Sequence, residues 1–155
     1  MTQCHFEGEV RTEWLMQSGP DRRMRLLEDF AFVDSRGNRW LASAGRVVDG
    51  SSIPRMLWAL AGSPYTGNHR RASVLHEVAC DERARPSKDV HRMFYDAMVC
   101  DGVDQHEAME FYAAVRLFGP DWALDEPFSN FADAQARPMR GIDDIEAALD
   151  LLLGE

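Results

Sequence analysis

The chain has 155 residues, 45% of them hydrophobic and 28% charged, the balance of a folded globule rather than a disordered polymer. That length makes a single domain, residues 1–155, the expectation, with about 70% of the unfolded surface buried on folding. A formal net charge of −9 excludes a broad basic face for nucleic acid.

The N-terminus, "MTQCHFEGEV", lacks the basic and apolar regions of a secretion signal, and no apolar run approaches the roughly 18 to 20 residues that cross a bilayer. A cytoplasmic protein without a membrane span is therefore expected. In "HFEGEVRTEWLM" (5–16) Phe6, Val10, Trp14 and Met16 share one parity against charged neighbours, which predicts a strand with one wet face. Gly19 and Pro20 break the run, and the cluster "DRRMR" at 21–25 reads as a solvated face. A second alternating run places Met24, Leu26, Phe30 and Phe32 together, and "DSRGN" (34–38) turns the chain into a third, "RWLASAGRVV". Three strands joined by short turns predict an antiparallel meander.

After Asp49 the period changes from two to that of a helix. "IPRMLWALAG" (53–62), with Pro54 near its start and Gly62 at its end, predicts a short helix. A longer one follows in "HRRASVLHEVACDERA" (69–84), with Ala72, Leu75, Val78 and Ala79 as its buried stripe and its basic start solvated. Pro86 and Ser87 open the next, where Val90, Phe94, Ala97 and Met98 recur and Gly102 ends it. Asp104 and Glu107 stand in the capping-box relation at the head of a helix running to Gly119-Pro120. Residues 121–140 have no clean period and read as an irregular surface segment pinned by Trp122, Phe128 and Phe131. A last helix over 141–153 carries "DDIEAALDLLL". Strands first and helices afterwards give an α+β fold: an N-terminal antiparallel meander followed by three to four packed helices. The cysteines Cys4, Cys80 and Cys100 form no CxxC pair, and such a sparse, odd set suits free thiols in a reducing cytoplasm better than a disulfide framework.

Four segments in order, "AGRVVDGSSIPRMLW", "HRRASVLHE", "DVHRMF" and "FYAAVRLFG", resemble a phage- and prophage-encoded family known as domain of unknown function 1353. That family runs from a glycine-bearing strand end through D-G-A-S-I-P to a tryptophan, then a helix with a His-Asp pair, a second helix with an Ala-Asp pair, and a closing avr-x-fG. The resemblance covers about residues 40–119. The family's His-Asp pair stands here as His76-Glu77, and its second-helix Asp as His91. The resemblance implies a phage, prophage or gene-transfer setting and no settled activity.

Imidazoles and carboxylates at these positions point to metal chemistry. Adjacent helical residues project about 100° apart, so His76 and Glu77 reach one ion only over the edge between them. His91 on the next helix supplies a further ligand if the two helices pack antiparallel, and Asp49 at the strand end a fourth or an orienting partner. The expected metal set is His76, Glu77 and His91 holding one divalent transition ion (Zn, Mn or Fe), with Asp49, Ser52 and Glu77 as the catalytic groups. The competing reading makes His76 a core histidine bonded to a backbone carbonyl, with Glu77 and His91 exposed. Asp49 and Ser52 equally suit a helix cap and an Asx turn, with Gly50 free to take positive φ. A Ser-His-Asp set from Ser51 or Ser52, His76 and Asp49 lacks a G-x-S-x-G elbow. Cys80, one turn after His76, is a Cys-His candidate, though buried free cysteines mostly serve as small hydrophobes. Arg55, just after the turn, is placed to meet an anionic group or a surface carboxylate. Three functions follow: a metal-dependent hydrolase of cell-wall peptide or phosphate ester, a non-catalytic virion or tail-assembly protein, or an inhibitor binding a host protein. The partners expected are phage structural proteins or a host protein.

Overall fold

All three alternating runs form strands, and each is broken near its middle. The computed structural model describes residues 3–15, 23–49, 67–123 and 141–154. The first run gives β1 (His5–Glu7) and β2 (Thr12–Trp14), the second β3 (Met24–Leu26) and β4 (Phe30–Val33), the third β5 (Arg39–Ala42) and β6 (Val47–Val48). Pairing is antiparallel throughout, in two three-stranded sheets ordered β1-β4-β5 and β2-β3-β6. The second run is central in both, so the expected meander is present, bent across its width into two sheets.

The bend has a local cause in each run. Gly8 (φ +77°) and Gly45 (φ +87°) adopt left-handed backbone that costs other L residues about 1–2 kcal/mol. Between them the Asp29 carboxylate accepts the Ala44 N–H at 2.8 Å. Pairing continues across the corner, where the Leu26 N–H donates to the Arg46 carbonyl at 2.8 Å and the Gly45 N–H to the Leu26 carbonyl at 2.7 Å. Met24, Leu26, Phe30 and Phe32 are all buried, as their shared parity predicts. The first run departs from expectation: Phe6 and Val10 are half-buried, but Trp14 is 62% exposed. Beyond the bend, β2 is a three-residue edge strand, and its apolar parity no longer faces the core.

Four helices follow among the described residues: α1 (Arg70–Glu82), α2 (Ser87–Cys100), α3 (Gln105–Phe118) and α4 (Ile142–Leu153). None is long and apolar enough to cross a membrane. The architecture is α+β with N-terminal strands. Helix α1 buries far more than the predicted stripe: Ser73, Val74, His76, Glu77 and Cys80 join Ala72, Leu75 and Val78, while Ala79 is half-buried. The reason is its position, with β5 and β6 on one side and α2 on the other. Asp104 caps α3 as expected, its carboxylate accepting the N–H groups of His106 (2.9 Å) and Glu107 (3.3 Å). The predicted helix over 53–62, and the contacts of Phe128 and Phe131, lie outside the described residues.

Two further expectations are corrected. The cysteines are not all free thiols: Cys4 and Cys100 are joined as a disulfide, their Cα atoms 6.2 Å apart, and Cys80 is free and buried. A separation of 96 residues hides this pairing from sequence spacing; folding lays the start of β1 beside the end of α2. Nor is the "HRRA" cluster simply a wet face. His69 is buried against Phe111, and Arg71 lies 4.1 Å over the Phe6 ring while pairing with Asp101.

A candidate metal centre between two helices

Helix periodicity puts His76 and Cys80 one turn apart on the face of α1 that meets α2, and α2 presents His91 opposite them. All three are buried, at 0%, 5% and 2% exposure. His76 Nε2 lies 2.8 Å from His91 Nδ1, and Cys80 Sγ lies 3.7 Å from His76 Nε2 and 3.9 Å from its Nδ1. The three ligand atoms fall within 4.8 Å of one another. Phe94 lies tilted against His76 at 4.6 Å between ring centroids, and Trp122 meets His91 edge-on at 6.3 Å.

The protons on this chain of groups follow from its fixed end. His91 Nε2 lies 2.8 Å from the Pro120 carbonyl, which can only accept, so Nε2 carries the hydrogen. In neutral His91 the Nδ1 lone pair is then bare and accepts the His76 Nε2–H. Both rings are held neutral. Burial pushes His76 well below its usual range, with His91 adding to the effect. Burial likewise pushes His91 down to about 4, against the opposing hydrogen bond to Pro120. Burial also raises the Cys80 thiol to about 12, with the charges of Asp81 and Glu77 contributing.

Of the residues predicted for the site, the structure brings His76 and His91 together. It places Glu77 on the adjacent face of α1, where the buried carboxylate accepts the backbone N–H of Asp49. Glu77 thus ties helix α1 to the end of β6. Asp49 itself is exposed, and its charge helps raise Asp81, after that residue's own burial. Ser52, with Ser51 and Arg55, lies outside the described residues. The alternative of an exposed Glu77 and His91 does not hold, since both are buried. Cys80 was legible only as a residue one turn from His76. Pro120 gave no side-chain signal, because its contribution is a backbone carbonyl.

The family described as Protein of unknown function (DUF1353) matches residues 24–115. The chain belongs to DUF1353. The DUF1353 match runs from β3 into α3 and contains Asp49, His76, Glu77, Cys80 and His91, while Pro120 and Trp122 lie beyond it. The chain is 36% identical over 126 residues to the uncharacterized protein y4jT of Sinorhizobium fredii (strain NBRC 101917 / NGR234), an alignment covering 81% of this chain and 38% of that protein. It is 39% identical over 108 residues to the uncharacterized protein y4iH of the same strain, covering 69% of this chain and 45% of that one. The DUF1353 chain therefore spans less than half the length of either relative. No solved structure matches it.

Proposed function

We propose that the protein binds one divalent transition-metal ion through His76, Cys80 and His91, zinc being the best fit. The observation that carries this reading is the convergence of three ligand atoms from two helices within 4.8 Å. Tetrahedral zinc, bonded at about 2.0 Å to nitrogen and about 2.3 Å to sulfur, sets ligand atoms about 3.3 Å (N to N) and about 3.6 Å (N to S) apart. The His76–His91 and His76–Cys80 separations here are 2.8 Å and 3.7 Å, each within about half an ångström of that geometry. The bond from His91 Nε2–H to the Pro120 carbonyl is the kind of outer contact that orients a ligating imidazole. His91 offers its Nδ1 lone pair at once, whereas His76 must move its proton from Nε2 to Nδ1 and Cys80 must give up its proton as the ion binds.

Three protein ligands leave a fourth position, and an ion there would acidify a bound water toward neutrality. On that basis the protein is a metal-dependent hydrolase of a cell-wall peptide or phosphate ester, with Glu77, Asp49 and Ser52 as the groups that hold or move the proton. The near-complete burial of the ligands favours a second reading, in which the ion staples α1 to α2. The protein then works through its surface, where Trp14, Phe118, Leu151 and Leu152 stand exposed, as a virion component or a binder of a host protein.

The test is metal analysis of protein purified without chelator, followed by cobalt(II) exchange. Stoichiometric metal, and a cobalt–thiolate charge-transfer band lost in His76→Ala and Cys80→Ser, supports the site. Wild-type protein that neither carries metal nor takes up zinc or cobalt overturns it. Metal-dependent release of product from peptidoglycan or an aryl phosphate separates the hydrolase from the structural reading.

A further inference from the structure

A second candidate site lies on the face of α1 that meets β5 and does not depend on the metal reading. Between β5 and α1 there is a groove of about 250 Å³. Leu75 and Ala79, one turn apart, give it an apolar lining from the helix, and Ser43, Glu82 and Arg85 bring polar groups to it. This volume falls just below the usual range of about 300–1,000 Å³ for ligand pockets, so it suits a compact molecule.

Arg85 is held in place there from three directions. Its guanidinium carbon lies 3.9 Å over the Trp40 ring. One N–H donates to the Arg39 carbonyl at 3.3 Å. Its own carbonyl accepts the Trp122 indole N–H at 2.8 Å, so the backbone beneath it is fixed as well. The nearby acids are engaged elsewhere: Glu82 with Arg46, and Glu7 with Arg39 at 2.7 Å. No carboxylate among the described residues pairs with Arg85, in a chain with 26 acidic residues against 17 lysines and arginines. A guanidinium has five N–H donors in a rigid fork, and one interaction with a carbonyl leaves most of them available. Because the group is already oriented, binding an anion costs little further ordering.

We propose that this groove binds a small molecule with a compact apolar body and one oxyanion, a carboxylate or a phosphate. Arg85 takes the anion, the Ser43 hydroxyl adds a donor, and Leu75 and Ala79 pack against the body. Glu82 at the rim disfavours a second negative charge.

The test follows the Trp40 indole N–H resonance in ¹⁵N-labelled protein titrated with benzoate, phenyl phosphate and uncharged benzamide. The expected result is a saturable shift with at least one anion, at about millimolar Kd, and benzamide at least about tenfold weaker. Whichever of benzoate and phenyl phosphate binds more tightly identifies the preferred oxyanion. Arg85→Gln should remove the preference for the anion, and Ala84→Leu, at an exposed position lining the groove, should block all three probes. The proposal is overturned by equal binding of benzamide and the anions, by unchanged affinity in either variant, or by no saturable shift at all.

Discussion

Acidifying the metal-free protein should destabilise it through His91. Burial holds His91 at about 4 in the folded state, against 6.5 as its ordinary value. A group whose folded pKa is depressed contributes stability that is complete above the unfolded pKa and is lost as pH falls toward the folded one. Between pH 6.5 and about 4, therefore, the unfolded chain takes up a proton at residue 91 that the native chain refuses. At about 1.4 kcal/mol per pH unit, that window removes about 3 kcal/mol, a large share of a typical domain's 5–15 kcal/mol. His76 is displaced in the same direction and steepens the loss. Urea unfolding of chelator-treated protein between about pH 7 and about pH 4 measures this slope directly. His91→Phe, which cannot titrate, should flatten it. Stability independent of pH across the window, or an unchanged slope in His91→Phe, would refute the reasoning.

Further expectations concern the frame that holds the site. Asp34 is fully buried and accepts the Arg36 and Asn38 N–H groups at 2.9 Å and the Trp40 indole N–H at 3.4 Å. Asp34→Ala should cost about 3 kcal/mol in chemical denaturation and Asp34→Asn less, and a loss under about 1 kcal/mol for the alanine would contradict this account. Those hydrogen bonds hold the Asp34 carboxyl below its ordinary value despite burial, so the gap between wild type and Asp34→Ala should narrow only at pH below about 4. Reducing Cys4–Cys100 opens a 96-residue loop, and calorimetry with and without reductant should register a loss of about 4 kcal/mol. Gly8→Ala places a Cβ 2.9 Å from the Asp29 carbonyl oxygen at φ +77°, and should cost about 2 kcal/mol in the same measurement; a neutral result would mean the bend does not need glycine.

Much of the fold was legible because side-chain period reports burial. Met24, Leu26, Phe30 and Phe32 alternate as a strand should, and all four are in the core. The bend was not legible, for a geometric reason: the four-residue step from Leu26 to Phe30 preserves parity across the corner, so the pattern reads as one straight strand. The site was legible in part. His76 and His91 were identifiable as candidates, but which face of α1 meets α2 decides that Cys80 rather than Glu77 joins them. Residue type alone does not carry that information when nearly every face of the helix is buried. The Pro120 carbonyl that orients His91 is a backbone group, common to every residue, and so left no trace in the sequence.

The bond between Cys4 and Cys100 turns most of the chain into a closed covalent ring. All six strands, α1 and α2 lie inside that ring, and α3 and α4 hang from it as a pendant arm. A single peptide cleavage within the ring would leave one molecule rather than two, its halves separating on a gel only after reduction. Tension on the N-terminus would likewise pass through sulfur to the far end of α2 instead of peeling β1 from the sheet. The helix that carries His91 is thus anchored at its C-terminal end by a covalent strut, independent of whatever happens to the strands.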